Sequence, residues 1–369
     1  MKIHKIALNG FRNYEWETAD FSERTNVITG ENAQGKTNLL EAVYMLSCGR
    51  SFRTRYDREL VGFDFSEAEI LAEVFSHDRD QSIRIRLCPG QAKRITVNGV
   101  KKNITELSET VNTVLFCPDD LNLIKDGAAV RRKMMDQAIS QIRPKYGVLL
   151  TEYNRLYEHK TRILKDWREK PSLLDTLDSF SDAMCRVTAQ IIRYRASYMS
   201  RLDEAVKPIH ADFSGKGEKI ELLYHTVSTV RDPFSSAKEI YYDICDHQEK
   251  HRQAELDSAQ CLTGAHKDDV EILINGRSAR SFASQGQTRT AALSMKLAER
   301  EIILQETGEY PILLLDDVLS ELDEKRQEFV LNRIGGGQTL ITCCEDTDIS
   351  GRTGGKVFTV NGGRIRECI

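Results

Sequence analysis

The sequence predicts an α/β protein in which a core, made of a mixed sheet with an antiparallel subdomain, is interrupted by an α-helical arm. Three observations predict it. An apolar run, RTNVITG, leads into the glycine-rich stretch GENAQGKT (30–37) and then into KTNLLEAVYML, where Leu39, Leu40, Val43, Tyr44 and Leu46 recur at helical spacing. A second apolar run, ILLLDD, reads as a buried strand that ends in Asp316 and Asp317. Between these two ends, Leu173, Leu177, Phe180, Met184, Val187, Ile191, Tyr194, Tyr198 and Leu202 keep the alternating three-and-four spacing of a heptad-like seam.

The elements follow in order. MKIHKIALNG alternates as a strand and lacks the apolar block of a signal peptide. EILAEVF, SIRIRLC and KRITVNGV also alternate, and Asn98-Gly99 suits a tight hairpin, so an antiparallel sheet is expected beside the loop-bearing lobe. Leu149, Tyr153, Leu156, Ile163, Leu164 and Trp167 mark one arm helix, Pro171-Ser172 the turn after it, and Pro208 the end of the longer second helix. That second helix, about 35 residues long, would reach roughly 50 Å. GEKIELLYHTV reads as a strand, a helix is expected from about Ser236 to Leu256, and the sheet pattern returns with DDVEILINGRS. A helix over TRTAALSMKLAEREIIL, the strand QTLITCC and a hairpin over KVFTVNGGRIREC complete the chain. The expected division is a core built from 1–118 and 259–369, with a mainly helical arm over 119–258 whose strand near 219–227 is a candidate to return to the core.

Composition narrows the class. With 40% hydrophobic and 29% charged residues among 369, the chain is long enough to bury two or three cores and is not disordered. No apolar run approaches a membrane span, so a cytoplasmic address and no membrane partner are expected. Nine cysteines without any CxxC spacing argue against a zinc site or a disulfide framework and read as buried thiols. A net charge of -4 excludes coating of nucleic acid by bulk charge, so polyanion binding must come from local, salt-sensitive patches.

The chemistry sits in a few short segments. Gly30, Glu31, Asn32, Ala33, Gln34, Gly35, Lys36 and Thr37 match G-x-x-x-x-G-K-[ST]. In that pattern glycines let backbone amides wrap phosphates, Lys36 brings a point charge to the terminal phosphates, and Thr37 offers its hydroxyl to magnesium. Asp316, at the end of its strand, would complete the metal shell, and Asp317 would polarise the attacking water. Arg50, Arg53, Arg55 and Arg58, with Phe52 and Tyr56 between them, are candidates for DNA contact, or else are solvated or paired with Asp57 and Glu59. Arg131, Arg132 and Lys133, and Arg186, Arg193, Arg195 and Arg201 of the arm, are weaker candidates. His247 and His251 miss the H-E-x-x-H pattern and read as a solvated helix face, and the acids around His266 in TGAHKDD read as a structural loop rather than a metal cluster.

LNGFRNYE, GENAQGKTNLLEAVYML, RSFRT (50–54), FCPDDLNLIKDGAAVRRKMMD, TGAHKDD (263–269), SQGQTRT and LLLDDVLSELD span nearly the whole chain in the order seen in the RecF family, which the sequence resembles. These are bacterial recombinational-repair ATPases, similar in their heads to the wider SMC and ABC ATPase class. The resemblance implies an ABC/SMC-like P-loop head that uses ATP and Mg2+ and dimerises on ATP. Ser284, Gln285, Gly286 and Gln287 stand where that class has the signature motif that meets the γ-phosphate on the opposite subunit, and Asp323 stands in its D-loop. Arg12 and Asn13 match a motif that reaches nucleotide, with a plain edge-strand role as the alternative. Single-stranded DNA and DNA at gaps and junctions, RecR and RecO as partners, loading of RecA, replication restart and SOS induction are implied as well. Two departures are on record: Asp317 stands where the wider class has Glu, and 338–350 holds no switch histidine, so a slow, DNA-stimulated ATPase acting as a switch is expected. A transporter ATPase subunit is the runner-up, disfavoured by FRNY and the missing histidine, and a metabolic P-loop kinase would have no use for SQGQ.

Overall fold

The computed structural model describes residues 1–215, 217–344 and 349–368. The chain divides into two compact units, Met1–Asn122 with Ala292–Ile369, and Leu123–Ala291.

In the first unit, β1 (Lys2–Phe11), β2 (Tyr14–Asp20) and β3 (Thr25–Thr29) precede α1 (Lys36–Cys48). Then come β4 (Ala68–Ser76), β5 (Arg79–Leu87), β6 (Arg94–Val97), β7 (Val100–Lys102) and β8 (Thr113–Phe116). Asn98 and Gly99 both have positive φ, 50° and 78°, the turn a two-residue hairpin requires between β6 and β7.

The second unit is mainly helical. It holds α2 (Ala128–Ile142), α3 (Pro144–Asp166), α4 (Leu174–Phe213), β9 (Ile220–His225), α5 (Ala237–Ser258), β10 (Asp269–Ile274), β11 (Arg277–Ser278) and α6 (Ala279–Phe282). β9 pairs with β10 and β10 with β11, all antiparallel, so the strand near 219–227 and the DDVEILINGRS strand lie in this unit, not in the core sheets. Their alternation carried no information about partners. The arm is also more than a hairpin. α4 buries Leu177, Met184, Val187, Ile191, Tyr198 and Leu202 of the expected seam, and on another face Cys185, Ala189 and Ile192 meet Ile240 and Ile244 of α5. A second apolar face needs a second neighbour, and α5 supplies it. Pro208 does not end α4, which runs on to Phe213. Its ring lies on the exposed side, where water can satisfy the carbonyl freed by the missing N–H, while Val206, Ile209 and His210 stay buried and keep the last turn in place. Between α3 and α5, Lys160 and Glu255 form a buried ion pair at 2.8 Å, with Gln248 bonded to both.

α7 (Gln285–Thr307) leads from the second unit into β12 (Ile312–Asp316), α8 (Glu324–Arg333), β13 (Thr339–Cys343), α9 (Ile349–Thr353), β14 (Lys356–Asn361) and β15 (Arg364–Cys368). These strands complete a sheet in the order β15-β14-β3-β13-β12-β8, parallel except for the β14–β15 hairpin. The other large sheet, β2-β1-β4-β5-β6-β7, is wholly antiparallel. One core joins α1 to inward residues of both sheets, among them Ile3, Ile6, Leu8, Leu39, Val43, Ile70, Ile85, Leu314, Leu340 and Phe358. α1 is therefore buried nearly all round, which explains why its apolar residues do not keep to one stripe. Among the described residues no helix is long and apolar enough to cross a membrane.

Candidate functional site

The glycine-rich loop joins the end of β3 to the start of α1, inside a parallel sheet whose strand ends are an open edge for ligands. Gly30 and Gly35 take φ values of 145° and 124°, and a Cβ on Gly30 would lie 2.3 Å from the Val360 carbonyl oxygen. Neither position admits a side chain. The loop is pinned from both ends of the chain: the Gln34 carbonyl accepts from Asn13 Nδ2 at 2.8 Å and from the Gly363 amide at 3.0 Å, and the Gly35 carbonyl from the Tyr14 hydroxyl at 2.9 Å. Lys36 is buried, its Nζ donating to the Gly30 and Glu31 carbonyls at 2.7 and 3.0 Å, so its charge is held over the loop. Glu31, Asn32 and Ala33 form the exposed rim, where Cys344 Sγ donates to Asn32 Oδ1 at 3.1 Å.

The structure brings Thr37 and Asp316 into contact. Thr37 Oγ1 donates to Asp316 Oδ1 at 2.9 Å, and Thr342 Oγ1 on β13 donates to the same oxygen at 2.9 Å. Burial pushes the Asp316 carboxyl up, against the downward pull of both hydroxyls. Asp317 adopts a left-handed conformation (φ 49°), its amide bonded to Thr342 Oγ1 at 2.8 Å, and its own Oδ1 is buried without a hydrogen-bond partner. Among the described residues no group of three or more His, Cys, Asp or Glu gathers into a metal cage. One hydroxyl and one carboxylate beside a phosphate cradle fit Mg2+, which takes its other ligands from phosphate and water. An orphaned carboxylate oxygen at Asp317 fits a group that arrives with the nucleotide.

Around the loop, Arg12, Asn13 and Arg53 of the sequence reading meet residues that it missed. Arg12 (φ 56°) donates to both carboxylate oxygens of the buried Glu41 at 2.8 Å and to the Glu59 carbonyl, so the FRNY turn is locked to α1. Asn13 also accepts from Asn38, which in turn accepts from Arg53 Nη1 at 2.7 Å. Glu41, Asn38 and Thr342 carry no motif; a buried acid one turn after Thr37 was the only available signal. Arg50, Arg55 and Arg58 are exposed, and Arg58 rests on the Tyr56 ring at 5.2 Å. Phe52 turns inward against Tyr44 and cannot stack on a base, and Asp57 pairs with Lys93 at 2.7 Å rather than with the arginines.

Ser284 and Gln287 form a capping box at the start of α7: the Ser284 amide donates to Gln287 Oε1 at 2.9 Å, and the Gln287 amide to Ser284 Oγ at 3.2 Å. Gln285 is exposed, Gly286 lies in the first turn, and Gln287 Nε2 donates to Glu218 at 2.6 Å. Asp323 caps α8, accepting from the Arg326 amide at 3.0 Å and pairing with the Arg326 side chain, which holds its carboxyl below the usual range. Part of the histidine-free stretch, 345–348, lies outside the described residues.

Other expectations change. Arg131 and Arg195 are buried: Arg131 binds Asp269 at 2.7 and 3.0 Å, and Arg195 binds Asp136 and Asp268, so neither is free to meet DNA. His247 is buried against Thr263, not solvated, because α5 turns that face inward. Only Cys185, Cys261 and Cys343 of the nine free thiols are buried, while Cys344 and Cys368 are exposed. In TGAHKDD, His266 Nε2 donates to the Cys261 carbonyl at 2.9 Å and Nδ1 accepts from the Tyr153 hydroxyl at 2.7 Å, a neutral ring pushed down to about 4 by burial. A histidine with a depressed value stabilises the fold above its unfolded value, about 6.5, and that contribution is lost as pH falls through about 4. The expected loss is up to about 3 kcal/mol over this window. A His266→Gln chain should show a flatter pH dependence in unfolding titrations than the wild type, and identical slopes would contradict the burial argument.

The fold and loop define a P-loop ATPase head of the ABC/SMC class. The family described as RecF/RecN/SMC N terminal domain matches residues 2–352. The chain belongs to the RecF family of DNA replication and repair proteins. It is 38% identical to the DNA replication and repair protein RecF of Clostridium acetobutylicum, covering 100% of both chains, and 40% identical to that of Acetivibrio thermocellus over 94% of each. It is also similar to a solved structure of the recombination mediator protein RecF-ATPrS in the RecFOR pathway, with TM-score 0.93 and 34% identity over 100% of this chain and 98% of that one. The Smc head domain of Pyrococcus furiosus, at TM-score 0.57 and 17% identity over 100% and 96%, shares the fold.

Proposed function

We propose that this chain is an ATP-driven switch of DNA repair and replication, which binds ATP with Mg2+ in the Gly30–Thr37 loop and dimerises around it. The observation that carries the reading is the Thr37–Asp316 contact beside a loop whose Gly30 and Gly35 positions leave no room for a side chain. Bound Mg2+ would supply charge neutralisation on the terminal phosphates. Lys36 places its ammonium at those phosphates, Asp317 orients water through its unpartnered oxygen, and slow turnover follows from the shorter reach of Asp beside Glu. Ser284, Gln285, Gly286 and Gln287, with Asp323, would meet the nucleotide of a second copy, aided by the positive N-terminal end of α7. Arg50, Arg53, Arg55 and Arg58 offer phosphate contacts to DNA at gaps and junctions. The likeness to a mediator of the RecFOR pathway supports work with RecO and RecR in loading RecA, in replication restart and in SOS induction, inside the cytoplasm.

Sedimentation with ATP, with and without gapped DNA, tests this. Wild type should shift from monomer to dimer with ATP and shift further with DNA, and Ser284→Arg should stay monomeric while binding ATP normally. A wild type that remains monomeric, or a variant that dimerises unchanged, would overturn the dimer reading.

A further inference from the structure

The helical unit carries a cleft of about 970 Å³ formed where α4, the start of α3 and the segment leading into α5 meet. Four cations line it, Arg143, Arg186, Arg193 and Lys238, and no acid does. That is a local excess of positive charge on a chain whose net charge is -4. The nearest carboxylate on α4, Asp182, is already committed, bonded to Arg186 at 2.9 Å and accepting from the Tyr241 hydroxyl. Arg193 and Lys238 are exposed and make no ion pair among the described residues. Arg186 and Arg193 stand two helical turns apart, roughly 10 Å along α4.

The apolar part of the lining decides what kind of anion fits. Apart from Pro233 and Ala237 it is aromatic: Tyr194, Phe234, Tyr241 and Tyr242. Phe234 and Tyr242 are 59% and 58% exposed, large rings with open faces. The Arg186 guanidinium lies 4.9 Å over the Tyr241 ring, a flat cationic surface on which another planar group can stack. An acidic peptide would look for aliphatic pockets or a strand edge, and the cleft has neither. Planar rings joined by phosphates match both halves of the lining.

Resting on the DNA-binding reading above, we propose that this cleft is a separate site for single-stranded DNA, with two or three bases stacked on Phe234, Tyr242 and the Arg186–Tyr241 pair and the backbone phosphates on Arg193, Lys238 and Arg143. It is a different site from the 50–58 loop, lies on the other compact unit, and needs neither ATP nor a second subunit.

The test is anisotropy of the full chain without nucleotide, using a labelled oligo-dT and an abasic phosphodiester strand of the same length. Wild type should prefer oligo-dT to the abasic strand. Phe234→Ala with Tyr242→Ala should weaken oligo-dT about tenfold or more and leave the abasic strand nearly unchanged. Arg193→Ala with Lys238→Ala should weaken both and lower the salt slope by about 1.4. All four side chains are exposed, so the variants should fold, and unchanged thermal unfolding checks that. Equal affinity of wild type and aromatic variant for oligo-dT would overturn the proposal, as would tighter binding of an acidic aromatic peptide. Arg53→Ala with Arg55→Ala, run in parallel, separates the two sites: loss of all oligo-dT binding there would assign the strand to the loop and also overturn it. ATP-dependent sedimentation is read independently, so failure here leaves the dimer reading untouched.

Discussion

An Asp316→Asn chain is expected to fold at least as stably as the wild type and to lose its magnesium-dependent response to ATP. The two effects come from one carboxylate. Asp316 is a buried acid whose pKa burial raises, so its ionised form is a net burden on the fold. A raised value contributes stability below the unfolded pKa and loses it as pH rises through the folded one, so near neutral pH the charge is costly. Asparagine keeps an oxygen to accept from Thr37 and Thr342 and removes that cost. With ATP and Mg2+ the proposed role of Asp316 reverses the balance, since an amide would not neutralise a metal bound there. Hydrolysis should fall by about 100-fold or more. Thermal unfolding with and without ATP and Mg2+ measures both halves: the variant should melt no lower than wild type when empty and gain little from ATP, and a full ATP-dependent gain would remove Asp316 from the metal site.

Arg195→Leu is expected to cost about 3–5 kcal/mol, because it strands a buried carboxylate. Arg195 Nη1 donates to Asp268 Oδ2 and to the Ala265 carbonyl, both at 2.6 Å, and Nη2 to Asp136 at 2.9 Å. Asp268 is fully buried, and the Tyr224 and Thr226 hydroxyls at 2.6 and 2.7 Å stabilise it without neutralising it. Burial already pushes the Asp268 carboxyl up, and removing its cation pushes it further. The variant should therefore regain stability as pH falls and Asp268 takes a proton. Urea unfolding followed through Trp167, in a Trp16→Phe background, reports on this unit. Trp16 is 60% exposed, so that background change is mild. A loss under 1 kcal/mol would mean that water reaches Asp268.

The sequence was most legible where chemistry forces residue type. The Gly30 and Gly35 conformations favour glycine, and a hydroxyl after the loop with an acid at the end of an apolar strand is the donor set a phosphate-bound metal calls for, so these positions announce themselves. The arm was half legible. Its seam was visible in the spacing of Leu177 to Leu202, but Ala189 and Ile192 look alike whether they face a neighbour or fill a gap, so α5 was missed as a partner. Pro208 misled because a helix boundary depends on which side the proline faces, and periodicity does not report that. The supporting contacts were illegible: Glu41, Asn38 and Thr342 are ordinary residues made important by neighbours distant in sequence. Charge misled most at Arg131 and Arg195, where a cation on a helix reads as solubility until its acid partner is seen.

β3, the strand that carries the phosphate loop, has β13 and β14 as its two neighbours, and the loop itself leans on Gly363. During synthesis β3 must therefore wait for β13 and β14 before it has a strand to pair with. At about 5–20 residues per second that delay is on the order of 15–60 s, a long time for a run such as Val27-Ile28 to stay unpaired. The nucleotide cradle is thus among the last parts of the molecule able to assemble. A nascent chain stalled before β13 would lack both sheet neighbours of the strand that carries the phosphate loop, so unfinished copies should have no formed cradle for nucleotide.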